Sequence, residues 1–424
     1  MLKRIAIVAA SVIVAVIAVP AILILALSPE PLLPPEAADN LSQVDQYFQK
    51  LVEPGYPPGI SVVVRKDGRV VFNEAYGTAD FTVSAPMTPQ TSVRWWSVTK
   101  LVTAAAVLQL VDRGRLSLED QLHDYLPYVA FVGDDCEPRN VTVLQLLNHS
   151  SGVQDNIPEG ILELRFPDEP PIDQVEYARE LIATKSLLTH EPGSYSSYTN
   201  TSYILLGALV QAASGERFET YVRREILIPL GMIATDFVFV KQPVARGSHP
   251  VFHFITPFLF LAGSEAQRAM YAVEDNLIWF SEFYLKYTAS TSLNGPVVEM
   301  SRFNQMVLNG GVLDGARILS ATSADMFVRD HQIPVESGIG ADSTTAGVLF
   351  HGISWQRVSD SRYRLFHSGG GPGFAAFNAI YPDENLSYSF VANGTGLPRD
   401  EIRQMLDRID WSAVIQDDAG QAPE

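Results

Sequence analysis

The sequence has a single cysteine, Cys136, among its 424 residues. One thiol excludes an internal disulfide and any metal site built from several cysteines. Basic residues are also scarce, with 30 lysines and arginines against 48 aspartates and glutamates, which gives a formal net charge of −18. Such a surface repels phosphate backbones, so we do not expect the protein to bind nucleic acid.

The short motifs of several common enzyme classes are missing as well. No serine stands in a Gly-x-Ser-x-Gly pattern, which disfavours an α/β-hydrolase. The sequence contains no His-Glu-x-x-His pair, no Walker loop and no complete dinucleotide fingerprint. His249 and His253 are four residues apart, but Pro250 between them and the lack of a nearby carboxylate argue against a zinc pair. The sequence therefore indicates neither a metal nor another cofactor.

A long apolar run lies at the N-terminus. Residues 5–27 carry no charge and would extend about 34 Å as a helix, enough to cross the roughly 30 Å apolar core of a bilayer. A cleaved signal peptide is the alternative, because Lys3 and Arg4 form a positive n-region, but the run is longer than a usual signal sequence. We interpret it as an uncleaved single-pass anchor. Lys3 and Arg4 precede the run and acidic residues follow it, so the positive-inside tendency places residues 1–4 in the cytoplasm and the rest in the periplasm or the extracellular space.

The rest of the chain divides into three parts. Residues 28–40 are rich in proline and predict a semi-rigid linker. Residues 41–412 are predicted to form one folded domain, because the motifs described below follow one another along its whole length. Residues 413–424 form an acidic tail, and its final stretch QDDAGQAPE is expected to be disordered.

Strand signals lie at both ends of the folded domain. Near its start, two β-rich runs are joined by Asp67-Gly68, a dipeptide typical of tight hairpins. More strand-like runs come after residue 350, followed by a helix predicted at 400–409, and the middle is mostly helix and loop. The pattern predicts an α/β protein of the α+β type. Strands from both ends of the chain share one antiparallel sheet flanked by helices, and the middle forms a mainly helical subdomain.

A serine and a lysine begin the apolar run SVTKLVTAAAVLQLVDRG, at Ser97 and Lys100. Positions i and i+3 share one face of a helix, so the two side chains are neighbours if the helix begins at or just before Ser97. A lysine of lowered pKa can take the proton of a serine hydroxyl and make it nucleophilic. The helix N-terminus adds free N–H groups and positive partial charge where an oxyanion would form.

The motifs around this pair resemble those of the serine β-lactamase and penicillin-binding-protein superfamily. The resemblance is to its class C-like serine hydrolases, which include D-aminopeptidases, DD-peptidases and esterases. SVTKLVTAAAVLQLVDRG looks like the nucleophile helix of that family, and LLNHSSG resembles one of its structural signatures. PGSYSSYTNTSYILLG matches its Tyr-x-Asn region, and FHSGGGPGF falls where the family has a third motif. The similarity extends over about residues 41–396 and implies a β-lactamase/transpeptidase-like fold.

The resemblance assigns catalytic roles to three residues. Ser97 would attack a carbonyl carbon and become acylated, and Tyr198 would exchange a proton with the leaving group. Either Lys100 or Tyr198 would be the general base, and the sequence leaves this open. Asn200 would bind the amide of the substrate and hold Lys100 in place.

The third motif supplies the expected substrate-binding strand. His367 leads it, Gly369 would let the backbone of the substrate approach closely, and the N–H groups of Ser97 and Gly370 would bind the oxyanion. Typical β-lactamases and transpeptidases have lysine where this chain has His367, and a histidine is largely neutral near pH 7. This difference favours the peptidases and esterases of the superfamily. A second difference lies in residues 262–280, where the Gly-Gly-x-x-Ser-Thr pattern of the family is degraded and leaves the substrate preference open.

The sequence thus predicts a membrane-anchored serine hydrolase that works through an acyl-enzyme. Its substrate would be a small amide or ester, cleaved as by a D-amino-acid peptidase, a DD-carboxypeptidase or an esterase. Two alternatives stay open. One is a catalytically silent module that binds cell-wall peptide or protein partners, and the other is a class C-like β-lactamase.

Overall fold

The computed structural model describes residues 40–155, 163–184, 187–251, 267–329, 348–349, 356–358 and 362–420. The predicted anchor at 5–27 lies outside these ranges. Within them, no helix combines the length and the apolar character that a membrane span requires.

The strands of the described ranges vary from two to twelve residues in length. In chain order they are β1 (Gly59–Lys66), β2 (Arg69–Asp80), β3 (Ala85–Pro86), β4 (Val93–Arg94), β5 (Phe131–Val132), β6 (Pro138–Arg139), β7 (Leu164–Arg165), β8 (Ser248–Pro250), β9 (Met270–Glu274), β10 (Leu277–Phe280), β11 (Tyr284–Leu285), β12 (Asn294–Gly295), β13 (Val312–Leu313), β14 (Ala316–Arg317), β15 (Val348–Leu349), β16 (Gln356–Val358), β17 (Leu365–Gly371), β18 (Phe374–Tyr381) and β19 (Leu386–Ala392).

The α-helices occupy both ends and most of the middle of the described chain. They are α1 (Leu41–Val52), α2 (Thr99–Asp112), α3 (Leu122–Tyr125), α4 (Val143–Leu147), α5 (Gln174–Thr184), α6 (Asn200–Ser214), α7 (Phe218–Val222), α8 (Thr288–Thr291), α9 (Val297–Leu308), α10 (Ala321–Val328), α11 (Arg399–Arg408) and α12 (Trp411–Gly420). A short 3₁₀ turn, Trp96–Val98, leads directly into α2.

One antiparallel sheet joins the two ends of the domain. Its strand order is β15-β16-β17-β18-β19-β1-β2-β3. The early strand β1 lies between its hairpin partner β2 and the late strand β19, with Val62 opposite Phe390. The predicted sheet built from both ends of the chain, with a helical middle, is therefore confirmed.

The predicted hairpin is also confirmed. β1 and β2 are joined by Asp67 and Gly68, with φ values of 51° and 78°. Positive φ at both central residues is the geometry of the turns that match the twist of paired strands. A bulge between Val64 and Arg65 shifts the register of the pair near this end.

The sheet buries both of its faces. Alternate residues of β1 point to opposite sides, as the period of two in a strand requires. Val62 belongs to the core between the sheet and the terminal helices α1 and α11, whereas Val63 belongs to the larger core that includes α2 and α6. α2 is buried around most of its circumference, which explains why its sequence is apolar on every side.

The C-terminal end differs in part from the expectation. The helix predicted at 400–409 is present as α11, one residue earlier. A second helix, α12, follows and continues to Gly420, so the expectation of a disordered tail is wrong up to that residue. Trp411 at its start is 3% exposed, and its Nε1 donates to Leu406 O at 3.0 Å, which fixes the helix to the domain.

α6 and α8 approach closely at Gly207. A Cβ atom at this position would lie 2.4 Å from the Cβ of Ala289 in α8. Because α8 also carries Ser290, this contact sets the position of that side chain relative to α2.

We expect Gly207→Ala to lower the free energy of unfolding by about 1–3 kcal/mol, because the added methyl group overpacks the contact with Ala289. Urea unfolding of the two proteins measures the change. Ala212→Leu, which adds volume at an exposed position of α6, is the control and should change stability by less than about 0.5 kcal/mol. Unchanged or increased stability of Gly207→Ala would contradict the close packing.

Candidate active site

Ser97 lies in the turn between β4 and α2. The preceding residue, Trp96, has φ +48°, in the left-handed region that costs a non-glycine residue about 1–3 kcal/mol. The neighbouring Trp95 holds this turn, since its ring is fully buried and its Nε1 donates to Gly295 O at 3.1 Å. Ser97 thus enters the helix at its N-terminus, as the sequence predicts.

Lys100 lies one turn further along, and its side chain is fully buried. Its Nζ lies 3.3 Å from Ser97 Oγ, 2.8 Å from Asn200 Oδ1 and 2.9 Å from Ser290 Oγ. Burial lowers the pKa of Lys100 to about 7, and the carboxylate of Asp155 opposes this shift. A substantial fraction of Lys100 is therefore neutral near pH 7 and able to accept a proton.

Tyr198 reaches the same hydroxyl from the loop before α6. Its OH donates to Ser97 Oγ at 2.8 Å, and its ring centroid lies 4.9 Å from Lys100 Nζ. Burial raises the pKa of Tyr198 well above its ordinary value, and the charge of Asp155 raises it further, although the bond to Ser97 lowers it. Tyr198 accordingly keeps its proton in the resting site, which disfavours it as the initial base.

Asn200 begins α6 and is held by groups on both sides of its amide. Its Oδ1 accepts from Lys100 at 2.8 Å and from Ser290 Oγ at 2.9 Å. Its Nδ2 donates to Asp155 Oδ2 at 3.1 Å, and its backbone N donates to the same oxygen at 3.0 Å. The carboxylate thereby fixes the amide so that its acceptor faces Lys100.

Asp155 and Ser290 are functional candidates that the sequence prediction missed. Asp155 also accepts from the N and Oγ1 of Thr201, so it caps the N-terminus of α6. The feature of the sequence that could have indicated Asp155 is its position, three residues after the LLNHSSG signature. Ser290 lies on α8, and its Oγ accepts from Lys100 Nζ at 2.9 Å. This segment was not singled out from the sequence, since the side chains around Ser290 are small and mostly polar.

His367 lies on β17 with its ring centroid 6.3 Å from that of Tyr198. It is 1% exposed, and its Nδ1 lies 2.7 Å from Ser368 O. Burial lowers the pKa of His367 to about 3, and the charge of Lys100 acts in the same direction. The imidazole is therefore neutral, as the sequence predicts. In the described part of the chain, its buried Nε2 has no hydrogen-bond partner.

The glycines of β17 bring this strand against the nucleophile turn. A Cβ at Gly369 would lie 2.1 Å from Trp95 O, and one at Gly371 would lie 2.6 Å from the ring of Trp96. Gly369 is thus required by its close approach to Trp95, and its predicted role towards the backbone of a substrate stays a prediction. Gly370 lies between them on β17. Its predicted role as an oxyanion donor, together with the N–H of Ser97, stays a prediction.

One cation near this strand was not foreseen. Arg399, at the start of α11, donates from Nη2 to Gly369 O at 2.8 Å. A Cβ at Gly370 would lie 2.8 Å from the same nitrogen. Arg399 is partly exposed, so it adds positive charge to the end of β17 without entering the contacts of Lys100.

The described residues contain no group of three or more His, Cys, Asp or Glu side chains suited to a metal ion. His249 lies on β8, where its Nδ1 is 2.9 Å from Thr395 Oγ1. His253 is outside the described ranges.

The ordered motifs and this geometry agree with a comparison of the sequence with known families. The profile of the beta-lactamase family matches residues 44–409. The chain belongs to the beta-lactamase family. The predicted resemblance and fold are therefore confirmed, and the prediction of a serine hydrolase agrees with this family.

Similar proteins match this member of the beta-lactamase family over most of its length. Protein flp of Staphylococcus aureus (strain N315) is 25% identical over 355 residues, which cover 84% of this chain and 63% of flp. The chain thus spans less than two thirds of that relative. EstCE1, a hydrolase with promiscuous acyltransferase activity, superposes with a TM-score of 0.67 at 18% identity, over 86% of this chain and 97% of its own.

A D-amino acid amidase from Ochrobactrum anthropi SV3, solved with L-phenylalanine, has a TM-score of 0.65 at 18% identity. The match covers 88% of this chain and 99% of the amidase. At such low identity these two structures show a shared fold. Their activities belong to those proteins.

We expect Asp155→Asn to move the pH dependence of Ser97 reactivity to lower pH. The reaction of Ser97 with a phosphonate should rise as Lys100 loses its proton, with a midpoint at pH about 7 in the unmodified protein. Removing the negative charge of Asp155 removes the interaction that raises the pKa of Lys100. The labelling rate measured between pH 5 and 9 gives the midpoint.

Asp173→Asn is the matched control, because Asp173 caps the start of α5 through Val175 N and Glu176 N in the same way. It should leave the midpoint unchanged. A midpoint that stays in place or moves up in Asp155→Asn, with an unchanged labelling rate at high pH, would contradict the proposed charge interaction. A general loss of folding differs from this outcome because it lowers the labelling rate at high pH without moving the midpoint.

Proposed function

We propose that the protein is a serine hydrolase that forms an acyl-enzyme on Ser97. The observation that carries the proposal is the position of Ser97 Oγ, 3.3 Å from Lys100 Nζ and 2.8 Å from Tyr198 OH. A nucleophile within reach of two proton-transfer groups is the arrangement that covalent catalysis requires. The family match supports the same reaction class.

Lys100 is the base in this proposal. Its neutral form takes the proton of Ser97 as Oγ attacks the carbonyl carbon of an ester or amide, and the N–H groups of Ser97 and Gly370 bind the oxyanion. Tyr198 then gives its phenolic proton to the leaving group and regains one from the Lys100 ammonium. A water molecule completes the cycle by hydrolysing the acyl-enzyme, with the proton path reversed.

The neutral His367 directs the choice of substrate. A buried imidazole of low pKa offers no charge to a carboxylate, so a substrate need not carry one beside the scissile bond. We therefore propose an ester or a D-amino-acid peptide or amide as the substrate, and a poor reaction with β-lactams. The hydrolase activity of EstCE1 and the amidase activity of the D-amino acid amidase support this choice by analogy of fold alone.

The place of action that we propose is the outer face of a membrane. The support is in the sequence, where the uncharged run 5–27 follows Lys3 and Arg4. The full chain should remain in the membrane pellet after a carbonate wash, and its recovery in the soluble fraction would contradict the anchor.

We expect a fluorescent alkyl phosphonate to label the full chain and to lose this label in Ser97→Ala. Gel fluorescence and mass spectrometry of the labelled peptide measure the result. Ser42→Ala, at an exposed serine of α1, is the control and should label normally. Absence of label on the intact, folded protein would support a silent binding module instead, and label that persists in Ser97→Ala would place the nucleophile elsewhere.

A second experiment compares p-nitrophenyl esters, D-Ala-D-Ala peptides and a chromogenic cephalosporin. We expect turnover of an ester or D-peptide and poor hydrolysis of the cephalosporin. A D-Ala-D-Ala peptide and its C-terminal amide should have kcat/KM values within about threefold, because neutral His367 cannot form the charge-assisted hydrogen bond that would favour the free acid. A preference for the acid of about tenfold or more, or fast cephalosporin turnover, would contradict the interpretation of His367.

A further inference from the structure

Arg94 is a buried arginine that forms no ion pair with a carboxylate of the described residues. It is 3% exposed, and its guanidinium carbon lies 4.2 Å from the ring centroid of Phe283, 5.2 Å from that of Trp96 and 6.0 Å from that of Phe239. Within the described ranges, its hydrogen bonding is confined to Nη2, which donates to Phe283 O, and its buried Nη1 has no partner. Burial lowers the pKa of Arg94 to about 10, so it is still charged near pH 7.

A buried guanidinium with an unpaired N–H group lowers the stability of a folded protein. A guanidinium has five N–H donors, and buried charges are normally paired or fully hydrogen-bonded. The three aromatic rings offer cation–π attraction but accept no N–H in the plane of the guanidinium. A ligand that supplies oxygen acceptors in that plane would complete the site.

Arg94 lines a cleft with a volume of about 120 Å³. Ser97 and Lys100 are not among its lining residues, so the cleft is separate from the catalytic contacts. Four phenylalanines, Phe239, Phe280, Phe283 and Phe374, are among its lining residues, although polar atoms make up most of its accessible surface. The space exceeds the roughly 30 Å³ share of one water molecule several times and is large enough for a small organic molecule.

The other charged groups of the cleft decide what kind of anion fits. Asp80 and Arg246 pair with each other at 3.3 Å, and Arg246 also donates to Phe280 O at 3.0 Å. Glu282 is exposed and accepts from Tyr284 OH, so its negative charge lies where the cleft meets solvent. Within this lining Arg94 forms no ion pair, and the charge of Glu282 acts on it only through space, partly opposing the lowering of its pKa. A second negative charge on a ligand would be repelled by Asp80 and Glu282.

We propose that this cleft binds a small monocarboxylate that carries an apolar or aromatic substituent. The carboxylate would pair with the planar guanidinium of Arg94, a geometry that arginine and carboxylate share. The substituent would lie among the phenylalanine rings. Hydrolysis of an ester or amide leaves a carboxylate on the acyl fragment, so the reaction proposed for Ser97 produces molecules of this class, but the binding site does not depend on that reaction.

The test uses benzoate, benzamide and phenyl phosphate with the full chain carrying Ser97→Ala, reconstituted in lipid nanodiscs. Titration calorimetry at pH 7 measures the three affinities. We expect benzoate to bind about tenfold or more tightly than neutral benzamide, because a charge-assisted pair replaces a neutral hydrogen bond, and phenyl phosphate to bind more weakly than benzoate. Equal affinities, or no benzoate binding at all, would overturn the proposal. Because Ser97 is absent, the result is independent of hydrolysis.

Two variants locate the binding site. Arg94→Lys loses the fork of donors, and burial favours the neutral form of a lysine, so benzoate affinity should fall about tenfold or more. Glu282→Gln, at an exposed position and therefore expected to fold, removes a repelling charge and should tighten benzoate binding by about threefold. Glu274→Gln, an exposed carboxylate outside the cleft, is its control and should leave the affinity unchanged. Equal affinities of the Glu282→Gln and Glu274→Gln proteins would place the benzoate elsewhere and overturn the proposal.

Discussion

The burial of one ammonium group organises the candidate site. Lys100 is enclosed by acceptors from the turn before α2, from α6 and from α8, and all three must be in place before these acceptors can stabilise its charge. The same enclosure lowers its pKa into the range where it can act as a base. Stability and reactivity therefore depend on one arrangement, since loosening the enclosure would hydrate Lys100 and return its pKa towards that of a free lysine.

Asp155 opposes the effect of burial on the pKa of Lys100. Its charge is near enough to favour the ammonium form, but its hydrogen bonds go to Asn200 and Thr201 rather than to Lys100. Direct pairing would hold the lysine in its charged form. Placing a neutral amide between the two groups keeps the orienting effect of the carboxylate and weakens its electrostatic effect.

Arg94 is the contrasting case, only six residues earlier in the chain. Its guanidinium keeps its charge despite burial, because its pKa starts much higher than that of a lysine. Around Lys100 the acceptors come from the protein itself, whereas around Arg94 the surroundings are mostly aromatic. The first arrangement suits proton transfer, and the second suits the capture of an anion.

Much of the site could be predicted from local sequence. The spacing of Ser97 and Lys100 fixes their proximity, because a helix places residues three apart on one face whatever surrounds it. The hairpin at Asp67-Gly68 follows from backbone preferences of the same local kind. The family resemblance added Tyr198 and His367.

The tertiary structure decided everything that depends on distant segments. Ser290 and Asp155 reach the site from parts of the chain whose sequence carries no catalytic signature. Which of Lys100 and Tyr198 is more easily deprotonated also depended on their surroundings, since burial lowers the pKa of an ammonium and raises that of a phenol. Sequence determines local geometry through short-range sterics and hydrogen bonds, but desolvation is a property of the whole packed environment, which only the fold assembles.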